Sequence, residues 1–311
     1  MASGAEQPVP CGVCGALDHR AVFSPRRSPG PVVRCRQCGL LYISPRRDER
    51  ALIFDGPELG GLSERLLDSH DLADVEVTGE WPLLEYRAAE EPALVLNNRE
   101  ALNRLGRWVQ PPGRLLDFGC GGGFFLGTAR DAGWEIFGVE PLPGHAIYAR
   151  ARFNARVLAD TLRPGMFPPE YFDVITAFQV FEHLPAPLAD LNRLASFLRP
   201  GGALLIEVPN IATWGVRLLG PRHRHFVQSH LNFFTPQTLR RLITQAGLAM
   251  SAIYFPGRRM TLRHLVAAWG GRLLPPGLAR AAAGLTQRAG LEARIVSINV
   301  GDIVAAVAVK P

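Results

Sequence analysis

Leu115-Leu116-Asp117-Phe118-Gly119-Cys120-Gly121-Gly122-Gly123-Phe124 is the stretch that decides the fold. A short apolar run from Arg114 ends in an acid, alternate glycines follow, and a helical pattern opens at Phe124. That order of strand, glycine turn and helix lets a ligand sit against bare backbone at the switch point of an open sheet. The dinucleotide pattern G-x-G-x-x-G fails, because its third glycine would fall at Phe124. What stands there is D-x-G-x-G-x-G. Its leading acid can engage a cationic amino-acid portion, and the loop suits a ligand without a pyrophosphate.

Outward from this loop, apolar runs recur at Glu135–Glu140, Arg156–Ala159, Asp173–Phe178 and Gly202–Val208, with helical segments between them. Two closing strands, Leu248–Phe255 and Asp302–Val309, complete an α/β, Rossmann-like, doubly wound sheet of seven mainly parallel strands. Leu102, Leu105 and Val109 predict a helix over Asn98–Val109, stopped by Pro111-Pro112-Gly113. Thr235 as N-cap, Pro236 at the first position and Gly247 as stop predict another over Pro236–Ala246. Residues 258–296, rich in Arg, Leu and Ala, read as a helical insertion between the closing strands. Glu140 ends the second strand 21 residues after Gly119, where a carboxylate can take both hydroxyls of a ribose. Asp160 ends the third, where it either accepts from an adenine amino group or serves as a turn acid.

The N-terminal segment carries Cys11-Gly-Val-Cys14-Gly and Cys35-Arg-Gln-Cys38-Gly, two CxxC turns separated by twenty residues. Four thiolates at that spacing fit a closed tetrahedral zinc site, and with no ligand position left for water the expected role is structural. The organisation is thus a zinc-ribbon module over residues 1–45, a connector or lid over 46–97, and a ligand-binding domain over 98–311.

Composition narrows the partners. Hydrophobic residues make up 47% of the 311, ample for a packed core. The net charge is +6, but Lys310 is the only lysine, so 33 of the 34 basic residues are arginines spread along the chain. Without clustering they argue against a nucleic-acid partner. No signal peptide is evident, and Leu265–Leu285 is broken by Arg272, Pro275, Pro276 and Arg280, too short a run to span a membrane. A cytoplasmic protein is the expectation.

Several of these stretches resemble the class I S-adenosylmethionine-dependent methyltransferases. The likeness covers about residues 98–255, through the glycine loop, Gly138-Val139-Glu140, Phe172-Asp173-Val174-Ile175, Phe181-Glu182-His183-Leu184 and Leu198–Glu207. Cys38–Arg46, as C-G-L-x-Y-x-S-P-R, and His230–Leu239 are similar to a subgroup with an N-terminal four-cysteine zinc ribbon that includes sugar and natural-product methyltransferases. The resemblance implies that Asp117, Gly119, Gly121 and Gly123 lie along the methionine moiety, Glu140 on the ribose and Asp160 near the adenine, with Gln179 among the cofactor residues. It implies S-adenosyl-L-methionine as cosubstrate, structural Zn2+, and methyl transfer to O or C of a small-molecule or glycan acceptor. His183 and His230 are the candidate catalytic bases; alternatively His183 packs or orients its loop. The zinc-ribbon C-methyltransferases of keto-deoxysugars carry a Glu-His pair, but here Ser229 precedes His230. Glu182 reads equally as a structural acid bonded to backbone. Arg222, His223, Arg224 and His225 read either as an anion-binding cluster or as a solvated loop. Two other functions fit the pattern: an RNA-base methyltransferase, and a zinc-stapled binding protein without catalysis.

Overall fold

Strands and helices follow one another in the order that the apolar runs predict. The structure, a computed structural model, describes residues 8–25, 30–46, 71–73, 79–267 and 275–311. Its elements begin with β1 (His19–Phe23), β2 (Val32–Cys35), β3 (Leu41–Ile43), α1 (Trp81–Ala89), α2 (Glu91–Leu105) and β4 (Arg114–Phe118). There follow α3 (Phe124–Asp131), β5 (Glu135–Val139), α4 (Pro143–Phe153), β6 (Arg156–Leu158), β7 (Phe172–Phe178), α5 (Pro187–Phe197) and β8 (Leu198–Pro209). The chain closes with α6 (Trp214–Leu219), β9 (Asn232–Phe233), α7 (Pro236–Gln245), β10 (Ala249–Tyr254), β11 (Arg258–Thr261), α8 (Leu262–Leu265), α9 (Pro276–Arg288), β12 (Ile295–Ile298) and β13 (Ile303–Val309).

Seven of these strands make one sheet in the order β10-β13-β8-β7-β4-β5-β6. Neighbours from β6 to β8 pair in parallel, and β13 runs against both β8 and β10. Successive side chains of a strand leave on opposite faces. Leu116, Val139 and Ile175 therefore enter one core, and Leu115, Ile136 and Val174 the other. Helices cover the second face through Leu84, Leu105, Leu126 and Ile147.

The cysteine segment is built into the first core. β1, β2 and β3 form an antiparallel sheet whose fourth strand is β9, from the far side of the chain, with Leu41 opposite Phe233 and Tyr42 opposite Asn232. Val13, Val33, Leu40 and Tyr42 pack in the same cluster as Phe181, Ile206 and Phe234.

Three expectations shift. The helix expected over Asn98–Val109 begins at Glu91 and ends at Leu105, since Pro92 suits a first turn and Gly106 takes the C-cap; a domain boundary at 97/98 would cut it. The connector carries α1 and the start of α2, while residues 47–70 and 74–78 lie outside the described residues. The insertion is not wholly helical: β11 and β12 form an antiparallel pair around α8 and α9, with residues 268–274 outside the description. α7 starts as expected, with Thr235 and Thr238 exchanging side-chain and backbone bonds in a capping box. Among the described residues no helix is long and apolar enough to cross a membrane.

Candidate active site

The glycine loop leaves β4 through three left-handed residues, Gly119 (φ 74°), Gly121 (φ 52°) and Gly123 (φ 78°), a path that L side chains resist. Each glycine has its own reason. A Cβ at Gly119 would stand 2.5 Å from Val180 Cγ2, and one at Gly123 2.7 Å from the Ala149 Cβ of α4. At Gly121 nothing lies nearer than His145 Nδ1 at 4.0 Å, so bare backbone faces open space.

That space is a cleft of about 430 Å³, within the range of small-molecule sites. Asp117, Gly119, Gly121 and Gln179 line it together with Glu207, Tyr254 and Arg258. Gly123, Glu140 and Asp160 do not. Glu140 is buried, its carboxylate accepting from the Gly121 amide (2.8 Å) and the Leu142 amide (3.0 Å), so that it fixes the loop from behind. Asp160 accepts from the Thr161 amide and pairs with Arg163, the arrangement of a turn acid. Leu84 of α1 presses on the loop, and Glu80 accepts from the His145 amide, 2.9 Å away.

Asp117 stands opposite Thr176 in the β4–β7 ladder and accepts from its hydroxyl at 2.7 Å. Burial, partly offset by that bond, pushes the Asp117 carboxyl up to about 7. Burial likewise holds Glu140 at about 7 against the pull of its two amide donors. Gln179, at φ 58°, is one of few non-glycine residues in the left-handed region, and it donates to Glu207 at 3.2 Å. Strain of that kind is retained where the surroundings require it. The insertion supplies another wall: Asn97 of α2 exchanges two 2.9 Å bonds with the Arg259 backbone, and Glu90 accepts from the Thr261 amide. Sequence reasoning had no signal for this wall, because the docking of β11 on α2 joins positions some 160 residues apart.

A second polar cluster follows Gln179. His183 Nδ1 donates to the Ser229 carbonyl (2.8 Å) and His230 Nδ1 to the His225 carbonyl (2.9 Å). A carbonyl only accepts, so both Nδ1 atoms carry the proton and both Nε2 atoms keep a lone pair. The two rings meet edge to face with centroids 4.8 Å apart. Burial lowers both, His230 to about 4. The structure thus brings the two candidate bases together. Glu182 departs from expectation: it is buried, and neither carboxylate oxygen has a hydrogen-bond partner, so the structural acid bonded to backbone is not what is found. Burial, reinforced by the Glu207 charge, pushes it up to about 8. The nearby histidines are not a solvated loop either, since His223 and His225 are buried and Arg224 pairs with Asp302.

The four cysteines converge. Their Sγ atoms lie within 4.8 Å of one another, with Cys11 to Cys38 at 3.3 Å and Cys14 to Cys35 at 3.4 Å. Both turns repeat one pattern: Gly15 donates to Cys11 and Cys11 to Ala16, as Gly39 does to Cys35 and Cys35 to Leu40. Four sulfurs around zinc at about 2.3 Å stand roughly 3.8 Å apart, so the donor set fits that ion.

A family model for a methyltransferase domain matches residues 88–253, more than half of the chain. This chain belongs to that family. The methyltransferase is of the class I, S-adenosylmethionine-dependent kind, and bare loop backbone lines its cleft beside the buried Asp117 carboxyl. Similar proteins include the ubiquinone biosynthesis O-methyltransferase of Aeromonas salmonicida (strain A449), 28% identical over 162 residues, which are 46% of this chain and 66% of that protein. The enzyme of the same name from Cereibacter sphaeroides (strain KD131 / KCTC 12085) is 32% identical over 151 residues, 43% of this chain and 60% of its own. The match to the methyltransferase therefore spans less than two thirds of these relatives. A solved S-adenosylmethionine-dependent methyltransferase of Thermotoga maritima, described as a possible histamine N-methyltransferase, has a TM-score of 0.50 at 18% identity, covering 78% of this chain and 100% of that one. That likeness is one of fold.

Proposed function

We propose that this methyltransferase transfers its methyl group to an oxygen of a small-molecule or glycan acceptor, a sugar or natural-product intermediate. Asp117, Gly119, Gly121 and Gln179 hold the cofactor in this reading. Glu140 and Gly123 are positioning residues, the first through the Gly121 amide and the second through the close approach of α4. Asp160 has no part. Cys11, Cys14, Cys35 and Cys38 hold a structural zinc.

The observation that carries the reading is the imidazole pair, each ring anchored through Nδ1 and open at Nε2, on the carboxyl edge of the sheet just beyond Gln179. S-adenosylmethionine supplies an electrophilic methyl. Transfer is an in-line displacement, so most of the rate comes from holding the acceptor in line with that methyl. A hydroxyl acceptor must also give up its proton, and in this reading His183 and His230 handle that oxygen. The relatives named as O-methyltransferases support oxygen as the acceptor atom.

The test is a panel of phenolic, catecholic and sugar acceptors incubated with carbon-13-methyl S-adenosylmethionine, with the chemical shift of the transferred methyl separating O- from C- and N-methylation. His183→Ala and His230→Ala are expected to lower kcat by about 10²–10⁴-fold with cofactor affinity kept. Methylation at carbon or nitrogen would overturn the assignment of oxygen, and unchanged kcat in both variants would remove the histidines from the site.

A further inference from the structure

We infer that Glu182, His183 and His230 form a second metal site, for a divalent transition-metal ion, beside the cofactor cleft. The inference deepens the function proposed above and rests on it for the metal's role, but not for its binding. One ligand atom from each residue lies within 4.8 Å of the other two, and Glu182 Oε1 stands 4.0 Å from His183 Nε2. Ligands on one ion at about 2.1 Å are roughly 3.0–3.4 Å apart, so side-chain rotations closing at most about 1.8 Å complete the set.

Two independent features point to a ligand. Glu182 is 1% exposed and both of its carboxylate oxygens lack a partner. A buried carboxyl group without a hydrogen-bond partner is costly, and a bound ion would supply one. The histidines meanwhile show the arrangement by which proteins prepare imidazole for a metal, with Nδ1–H on a backbone carbonyl so that the tautomer and ring plane are set and Nε2 is presented.

The backbone makes the cluster rigid. The Glu182 carbonyl accepts from the amides of Leu231 (2.7 Å) and Asn232 (3.0 Å), which locks the residues after His230 onto the Glu182–His183 turn. The Asn232 side chain donates to the Leu184 carbonyl at 2.7 Å. The His183 side chain is 35% exposed, leaving a way in and open coordination positions. Two imidazoles with one carboxylate favour manganese, iron(II), cobalt or zinc over magnesium or calcium, which prefer all-oxygen sites.

With an ion bound, both Nε2 lone pairs serve as ligands, so His183 and His230 act on the acceptor hydroxyl through the metal, by Lewis-acid polarisation, rather than as free bases. The hydroxyl proton leaves to water, the oxygen lone pair forms the O–CH3 bond, and the S–CH3 pair stays on sulfur as S-adenosylhomocysteine departs.

The experiment uses the full chain with its cysteine site first loaded with zinc, dialysed against cobalt(II), with both metals counted by mass spectrometry. Wild type should hold about one cobalt per chain beyond its zinc. Glu182→Gln and His183→Ala should weaken cobalt binding by at least the roughly 100-fold that loss of a mere supporting partner can cost, with zinc content and S-adenosylmethionine affinity unchanged. No cobalt in wild type, or equal cobalt in wild type and His183→Ala, overturns the inference. Calorimetry with S-adenosylmethionine on the same samples separates the two ideas: cofactor binding without cobalt removes the metal site alone, and cobalt without cofactor binding removes the methyltransferase assignment of the cleft alone.

Discussion

Gly12→Ala tests how tightly the cysteine segment is built into the rest of the protein. A Cβ at Gly12 would lie 2.6 Å from Cδ and 2.9 Å from Cγ of Pro187, the first residue of α5. Ordinary contact needs roughly 1 Å more, and a proline ring in a first helical turn has no flexible end to swing away. Retreat is further opposed by the Leu188 amide, which donates to the Gly12 carbonyl at 3.1 Å. Overpacking of this kind costs about 1–3 kcal/mol. At roughly 2 °C per kcal/mol for a chain of this size, the melting temperature should fall by about 2–6 °C. Gly284→Ala is the control of opposite sign: it lies inside α9 with nothing within 4 Å, so it should stabilise by up to about 1 kcal/mol. Scanning calorimetry on zinc-loaded samples reads both, and affinity for S-adenosylhomocysteine should stay constant, since the Asp117–Gly123 loop is untouched. A Gly12→Ala protein that keeps its zinc and melts within a degree of wild type would refute the close packing.

Gly123→Ala combines a left-handed residue with a Cβ 3.2 Å from the Ala149 backbone; about 1–2 kcal/mol of strain plus about 1–3 kcal/mol of overpacking should appear in urea unfolding. Asp117 and Glu140 both sit at about 7, above the usual carboxylate range, so between about pH 4 and 7 the folded state keeps protons that the unfolded state has lost. These groups therefore make the apo protein less stable as pH rises through that window. A cationic cofactor prefers the ionised carboxylates, so its affinity should fall roughly tenfold from pH 7.5 to 6 if one proton must leave; a flat calorimetric profile would contradict the assignment. Stripping zinc with a chelator should unfold β1–β3, releasing tryptic sites at Arg34 and Arg36, before the seven-stranded sheet melts.

The seven-stranded sheet was readable because its strands are buried on both faces and so appear as continuous apolar runs, Leu115-Leu116 and Val174-Ile175 among them. The clustering of the four cysteines was readable because a CxxC turn is a local object. What escaped depends on partners distant in sequence. β9 is two residues long and has no periodicity of its own; it is a strand only because β3, some 190 residues earlier, lies beside it. The insertion between β10 and β13 has helical composition, yet β11 and β12 pair with each other and β11 docks on α2. Spacing put Glu140 and Asp160 at strand ends correctly, but could not say that the first would be turned onto the Gly121 and Leu142 amides and the second onto Arg163. Glu182 looked ordinary in sequence because its character comes from missing partners, which only packing reveals.

The β3–β9 pairing gives the cysteine segment a task beyond its own stability. Ile43 donates to the Leu231 carbonyl and Tyr42 stands opposite Asn232, so the residues just after His230 are held by the ribbon as well as by Glu182. Arg46 donates to the Pro185 carbonyl, and Gly12 meets Pro187, so the turn after His183 is held from the same side. Both loops that carry the imidazoles are therefore braced against the segment that the four thiolates fold, whereas the glycine loop is braced by β5, β7 and α4. The glycine loop and the histidine cluster rest on different supports. Loosening the ribbon should consequently blur the His183–His230 geometry while leaving the Asp117–Gly123 loop formed, so that an ion held by the four cysteines would act as a positioning element for the histidine cluster.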